Sequence, residues 1–319
     1  MTAAPPTAAC PACGSTASTP AMRPSRGYPI RRCGGCGTVY TDARRAPPAS
    51  ALYPPFDQSA GRGAIRRALG LFLVRRASIA SRAAGRGRRL LDYGCGSGGF
   101  AAAMAARGFD AVGLEPFSLG AAAEGPNLRL LRGPLEEYAD ILGHFDVITL
   151  WHVLEHLDDP VGVLSRLGLL LAEGGAMVVS VPNLSSWQRR LFGPGWFHLD
   201  PPRHLAHYDR GSLARVLRAA GLEVVAEHRH LPEYGWSGWV QSALNAALPR
   251  PNVLYEFAKD RGALRDLGPG SLATLLGASL ALGAPALALS IPLEALASAT
   301  GGQAALTVVA RKIGGDRGR

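Results

Sequence analysis

The chain has 319 residues, a formal net charge of +10 and 47% hydrophobic residues, enough to bury one large core plus an accessory module. Of its 34 basic residues only Lys259 and Lys312 are lysine, so the charge follows an Ala-, Gly-, Arg- and Pro-rich composition expected of GC-rich coding and is weak evidence for an anionic partner. No basic start followed by an apolar core opens the chain, which argues against a secretory signal and for a cytoplasmic location, where a disulfide framework is disfavoured.

Residues 1–9 are rich in Ala, Pro and Thr and are expected to be a disordered lead. Cys10-Pro-Ala-Cys13 and Cys33-Gly-Gly-Cys36 then form two C-x-x-C units, each followed by glycine, Gly14 and Gly37. Such knuckles let one turn present two thiolates to a tetrahedral ion, so residues 10–42 are expected to be a zinc-ribbon-like module held by Cys10, Cys13, Cys33 and Cys36. Short strands are predicted at 28–33 and 38–41, and a proline-rich linker over 43–60. Residues 61–89 carry nine arginines and no acid. Ile65, Leu69, Phe72, Leu73 and Ile79 recur at helical spacing, predicting an amphipathic helix with a basic face. A solvated face, an acidic membrane surface and an anionic substrate all fit that charge.

Leu90-Leu91-Asp92-Tyr93-Gly94-Cys95-Gly96-Ser97-Gly98 reads as a strand entering a glycine turn, and the alanine-rich stretch after it as a helix. The next apolar run ends on Glu115, which in a parallel sheet emerges beside the turn, where it can accept both hydroxyls of a ribose. Cys95, between two motif glycines, is expected to be a small filler. With the acid at Asp92 ahead of the first glycine, the order resembles the S-adenosylmethionine site of class I methyltransferases more than a dinucleotide fingerprint. The resemblance implies that Asp92 orients the ligand's amino group, that the Gly94, Gly96 and Gly98 backbone approaches the ligand, and that Cys95, Glu115, Pro116, Leu135, Glu136, Trp151 and His152 complete the cofactor site. The third strand often ends on an Asp in this family. Here it runs Leu131-Arg132-Gly133-Pro134-Leu135-Glu136, leaving adenine to the backbone near Leu135 or to Glu136.

Strands are predicted near 89–93, 110–115, 128–131, 145–150, 176–181 and 222–228, with helices near 97–107, 117–124, 134–141, 160–172 and 209–220. Alternation of this kind implies parallel strands with right-handed crossovers. A last strand at 304–310 follows a long insertion, so the resemblance implies an α/β fold: a Rossmann-like, seven-stranded class I methyltransferase sheet (61–231 with 303–312) carrying a small N-terminal zinc ribbon, a hydrophobic helical insertion (232–302) and a tail (313–319). Leu267 to Leu293 contains no charged residue. Pro285 and Pro292 are expected to divide it into two shorter helices, making a soluble hairpin or dimer surface ahead of a hairpin dipping into one leaflet, a peripheral membrane contact through 267–299; the run is long enough for a true span, but a span would put the last strand across the membrane from its sheet.

The segment Phe145 to Pro160 contains His152-Val153-Leu154-Glu155-His156-Leu157-Asp158-Asp159-Pro160 and resembles the post-strand segment of small-molecule methyltransferases. It places His152 and His156 at the site mouth, where imidazole could take a proton from the acceptor. The same residues satisfy H-x-x-E-H, but a strand end in a nucleoside-binding sheet is the wrong setting for a zinc protease. In ubiquinone-pathway O-methyltransferases, which this segment also resembles, acids and a histidine here are associated with a divalent metal; this chain has His152 where that pattern has an acid. Trp187 to Tyr208 is aromatic- and histidine-rich and reads as a lid. Within it Pro202-Arg203-His204-Leu205-Ala206-His207-Tyr208 resembles a run found in zinc-ribbon methyltransferases, making His204 a third base candidate and Arg203 a candidate for an acceptor phosphate or a nearby acid. The expected activity is S-adenosylmethionine-dependent methylation of a small-molecule or carrier-linked metabolite, on oxygen first and carbon second. An RNA methyltransferase gripping phosphates through the ribbon and the arginine helix, and a non-catalytic nucleoside-binding scaffold, are the alternatives.

Overall fold

The structure, a computed structural model, describes residues 8–47, 64–116, 125–229, 232–259 and 266–314, with Leu52 and Leu264. The helix expected at 117–124, most of the 43–60 linker, most of the N-terminal lead and residues 315–319 lie outside them, as do the side chains of 64–72.

The first three strands are β1 (Ser18–Ser25), β2 (Tyr28–Cys33) and β3 (Val39–Thr41), joined antiparallel. The sequence reading found β2 and β3 but not β1, whose Pro20 and Pro24 weaken a strand pattern. Each knuckle closes as expected: Gly14 N–H donates to the Cys10 carbonyl at 2.8 Å and Gly37 N–H to the Cys33 carbonyl at 3.0 Å, both glycines having positive φ.

Helix α1 (Ala64–Ala84) leads into the main domain. There follow β4 (Arg89–Tyr93), α2 (Gly99–Ala105), β5 (Asp110–Glu115), β6 (Leu128–Arg132), a 3-10 turn at Leu135–Glu137, α3 (Ala139–Leu142) and β7 (Phe145–Trp151). After β7 come α4 (Pro160–Leu169), β8 (Leu171–Pro182), α5 (Trp187–Phe192), β9 (Ala206–His207), α6 (Arg210–Ala219) and β10 (Leu222–His228). The insertion holds α7 (Pro232–Ala247), α8 (Val253–Lys259) and α9 (Pro269–Ala299), and β11 (Ala305–Lys312) closes the domain.

Seven strands form one sheet in the order β10-β11-β8-β7-β4-β5-β6. The five from β8 to β6 are parallel, while β11 is antiparallel to both β8 and β10, as the resemblance implies. Alternate residues of each central strand feed opposite faces. Leu91, Val112, Leu114, Ile148, Leu150 and Val179 pack with Leu164 and Leu167 of α4 and with Leu213 and Leu217 of α6. Leu90, Ala111, Val147, Ala176 and Val178 pack with Ala77 and Ile79 of α1 and with Phe100 and Met104 of α2. Burial on both faces is why these strands read as apolar runs rather than as alternation.

Helix starts follow local chemistry. Asp159 accepts the Gly162 N–H at 2.9 Å with Pro160 in the first turn, and Asp209 and Ser212 form a reciprocal capping box on α6. The segment expected as a helix at 134–141 is only a 3-10 turn plus four residues. Pro285 and Pro292 do not divide the insertion: α9 is one helix of 31 residues containing both. Each proline removes one main-chain donor, and α9 accommodates that loss without breaking.

Candidate active site at the sheet's carboxyl edge

Asp92 is the penultimate residue of β4, at the sheet's carboxyl edge. Gly94, Gly96 and Gly98 all have positive φ (73°, 55° and 77°), which side chains other than glycine rarely tolerate. At Gly94 an added Cβ would lie 2.5 Å from Val153, whereas nothing lies within 4 Å at Gly96; that side of the turn is open to a ligand. The Glu115 carboxylate, ending β5, sits on the turn and accepts the Gly96 N–H through Oε2 at 2.9 Å. Asp92 is buried beneath it and accepts from the Thr149 hydroxyl at 2.7 Å. Burial, opposed by that bond and aided by the Glu115 charge, pushes the Asp92 carboxyl up to about 7. Cys95 fills space above Gly113, where a Cβ would meet its sulfur at 2.9 Å, and burial raises its thiol. Pro116 follows Glu115 directly. Leu135 is buried, while Glu136 is exposed and paired with Arg166 at 3.0 Å.

Trp151, the last residue of β7, is buried, and His152 just beyond it adopts a positive φ of 58°. Its Nδ1 lies 3.1 Å from Glu155 Oε1 and its Nε2 3.4 Å from the Ser180 hydroxyl, which is bonded to Thr307 at 2.9 Å. The imidazole also stacks on Tyr234 of α7, with ring centroids 3.5 Å apart. Burial, with Arg76 and His156 nearby, lowers the His152 pKa well below the usual histidine range. Neutral, it donates through Nδ1 to Glu155 and accepts at Nε2.

Arg76 of α1 is a site residue that the sequence reading did not single out. Its guanidinium lies over Trp151 at 5.1 Å and over Tyr234 at 5.6 Å, and donates to the Tyr234 hydroxyl at 3.1 Å. In the sequence it is one of nine arginines in a row without acids, and no local signal separates it from the others. Tyr234 was hidden in the same way, inside the insertion.

His156 and His204 come together, ring centroids 4.7 Å apart. Each is oriented by the chain: His156 Nδ1 donates to the Arg203 carbonyl at 3.0 Å and His204 Nδ1 to the His198 carbonyl at 2.8 Å. Between them lies Glu155, 1% exposed, whose Oε2 has no hydrogen-bond partner. Burial, opposed by His156, pushes that carboxyl up to about 7. Burial also holds His204 well below the usual histidine range. Glu155, His156 and His204 each offer a donor atom within 4.8 Å of the others, so they could hold a metal ion. Arg203 pairs with Asp200 at 2.6 Å, the acid alternative of its sequence reading.

The lid does not stand apart from the ribbon. β9, inside the lid, pairs with β3 as the fourth strand of the cysteine module's sheet. Thr41, buried in β3, donates to the His204 carbonyl at 2.7 Å and contacts His207 Nε2 at 2.9 Å, while Leu205 N–H donates to the Glu155 carbonyl at 2.7 Å. Ser25 donates to the Pro194 carbonyl at 2.7 Å and Arg26 pairs with Asp200 at 3.1 Å. The module that the linker joins to the main domain is thus also stitched into the loop that carries His204.

The four ribbon cysteines converge. Sulfur separations are 3.7 Å for Cys10 and Cys36 and 3.5 Å for Cys13 and Cys33, and all four ligand atoms lie within 4.8 Å of one another. Tetrahedral zinc thiolates with bonds of ~2.3 Å require sulfurs about 3.8 Å apart, so this donor set fits zinc. Burial raises the Cys10 and Cys13 thiols, whereas at Cys33 the Cys36 and Gly35 amides and the neighbouring thiols outweigh burial and bring it down to about 6.

Residues 65–227 match the family described as "Methyltransferase domain". A "Ubiquinone biosynthesis O-methyltransferase" of Erwinia tasmaniensis is 34% identical over 127 residues, 37% of this chain and 52% of that protein. The protein of the same description from Psychrobacter arcticus is 40% identical over 107 residues, 30% of this chain and 42% of its own length. The chain therefore spans about half the length of these relatives. Among solved structures, the [4+2]-cyclase SpnF aligns over 83% of this chain and 90% of its own at 20% identity and a TM-score of 0.46, a likeness too loose to bear on the chemistry.

Proposed function

The chain belongs to the methyltransferase-domain family, and from that premise we propose that it transfers a methyl group from S-adenosylmethionine to a small-molecule or carrier-linked acceptor, on oxygen first and carbon second. The observation that carries the reading is the Glu115 carboxylate lying on the open Gly94–Gly98 turn, placed to clasp a ribose while the bare backbone meets the rest of the nucleoside. Ionised Asp92 would receive the ligand's ammonium group. The O-methyltransferase relatives favour oxygen.

Methyl transfer from a sulfonium is an in-line displacement, and the chain's first task is to hold donor and acceptor in line. A hydroxyl acceptor must also lose a proton as the methyl arrives. His156 is the strongest candidate to take it, because the bond from its Nδ1 to a main-chain carbonyl fixes the ring beside Glu155. His204, its ring 4.7 Å away and at 69° to that of His156, is likewise tethered through Nδ1. His152, with a partner at each nitrogen, shapes the wall and holds Tyr234.

A second reading of this corner is favoured by the partnerless Glu155 Oε2: Glu155, His156 and His204 would hold a divalent cation, which when bound would polarise the acceptor oxygen. Structural zinc on Cys10, Cys13, Cys33 and Cys36 and a cytoplasmic location complete the proposal.

Calorimetry of the purified chain with S-adenosylmethionine and with its demethylated product, followed by radiolabelled transfer to extracted metabolites and to RNA, tests the reading. Nucleoside binding with label in a small-molecule fraction is expected. Label in RNA would replace the acceptor class, and absence of nucleoside binding would remove the activity. Magnesium or zinc titration of the zinc-loaded enzyme separates the two roles for His156: only the cation reading gives a metal-dependent rate that Glu155→Gln abolishes.

A further inference from the structure

We propose that the outward face of α9 docks on an anionic lipid bilayer, with the helix lying along the membrane surface. In water a helix packed on a domain turns its apolar side inward; α9 does the reverse. Its buried residues are Ser279, Gly283, Ser290, Glu294, Ala297 and Ser298. Facing solvent are Leu280 at 65%, Leu289 at 62%, Leu296 at 53% and Ile291 at 51% exposure, with Leu282 and Leu287 beside them.

Small residues let α7 approach closely. A Cβ at Gly235 would lie 2.3 Å from the Glu294 side chain, and one at Gly283 would touch Val240. A seam of small residues with leucines outside is how helices pair when hydrocarbon, not water, surrounds them. Between Asp266 and Glu294 the sequence carries no charge, and the most apolar 18-residue window, of mean hydropathy 1.9, is only 11% buried.

Charge complementarity selects an anionic surface. Residues 61–89 hold nine arginines without an acid; Arg76 is engaged at the candidate site and Arg88 and Arg89 bond at the entry to β4, while Arg75 and Arg82 are exposed. Exposed Arg75 and Arg82 of α1 act on His228 at the end of β10, lowering its pKa after the effect of burial. Arg229 follows at the root of α7. The net positive charge also opposes pairing with a second copy of the chain.

The fold favours lying over crossing. Just past the end of α9, Ala304 N–H donates to Glu294 at 3.1 Å, and Trp239 of α7 donates to the same carboxylate at 2.9 Å. Those bonds tie the helix end to β11, between β8 and β10. Because α7 also carries Tyr234, stacked on His152, docking would set the candidate site beside the lipid. The inference rests on α9 and the basic face of α1 and does not require methyl transfer.

Flotation of the full zinc-loaded chain with vesicles of phosphatidylcholine, with and without phosphatidylglycerol, tests it. The chain is expected to float with the anionic vesicles. Leu280→Ser/Leu287→Ser/Leu289→Ser, at exposed positions, should lower the partition coefficient roughly tenfold or more with unchanged near-ultraviolet dichroism. Leu287→Trp should show blue-shifted emission on vesicles, quenched by brominated acyl chains. Failure to float with anionic vesicles, a triple-serine protein that floats like the parent, or a leucine-dependent dimer in sedimentation that stays off the vesicles would each overturn the proposal. Nucleoside calorimetry on the same samples reports separately on the active site.

Discussion

Thr41→Val isolates the join between the cysteine module and the lid. The substitution keeps the side chain's shape and removes one hydroxyl that is 3% exposed in residue terms and serves two partners, the His204 carbonyl at 2.7 Å and His207 Nε2 at 2.9 Å. Since the hydroxyl proton goes to the carbonyl, His207 must donate its Nε2–H to Thr41. Burial lowers the His207 pKa to about 3, so it remains neutral from pH 5 to 8. Valine would strand one buried acceptor and one buried donor. At ~1–3 kcal/mol for each unsatisfied group, the loss should be about 2–6 kcal/mol, independent of pH across that range. Urea denaturation at pH 6 and pH 8 measures it, with Thr41→Ser as the control that keeps the hydroxyl. The acceptor KM should rise with the loosened lid, while affinity for S-adenosylmethionine, set by Asp92 and Glu115 on the other side of the sheet edge, should hold. A Val variant as stable as the parent, or one that loses nucleoside affinity instead, would refute the reasoning.

Glu115→Gln should weaken S-adenosylmethionine binding roughly 10- to 100-fold by calorimetry, because charge-assisted bonds to ribose hydroxyls become neutral ones; undiminished affinity would detach Glu115 from the ligand. Asp92, with a folded pKa of about 7 against an ordinary 3.8, binds its proton more tightly in the folded state. Its contribution to stability is therefore fully present below about pH 4 and is lost as pH rises through about 7. Asp92→Asn should flatten part of that decline in denaturation midpoints, with Glu155 supplying the remainder through its own raised pKa; an unaltered pH profile would contradict the assignment. Chelation should release zinc from the four cysteines, read with a metallochromic dye, and should expose the 194–207 segment to proteolysis, since β9 then loses its partner strand. A lid that stays protected after zinc release would show that the ribbon does not hold it.

Much of the molecule was legible from local chemistry. Strand β4, the turn with its three glycines, Glu115 and the paired knuckles each declare themselves within a few residues, because positive φ, two-face burial and thiolate spacing are local demands. The expected strand at 110–115 coincides with β5 for the same reason, whereas the one at 222–228 coincides with β10, an edge strand whose middle is exposed. Proline spacing misled where a local rule had to predict a long helix: α9 absorbs two breakers that would end an isolated one.

What tertiary structure alone decided is which distant residues share a surface. Nothing near Arg76 or Tyr234 in sequence marks them as neighbours of His152, and nothing in Ala206-His207 announces a fourth strand for a sheet begun at Ser18. The Glu155, His156 and His204 corner joins a strand end to a loop 48 residues further along the chain. Such meetings follow from how β8, β11 and the ribbon stack around one sheet edge. Local propensity records the conformation of each segment, while the pairing of segments is set by packing that no short stretch contains.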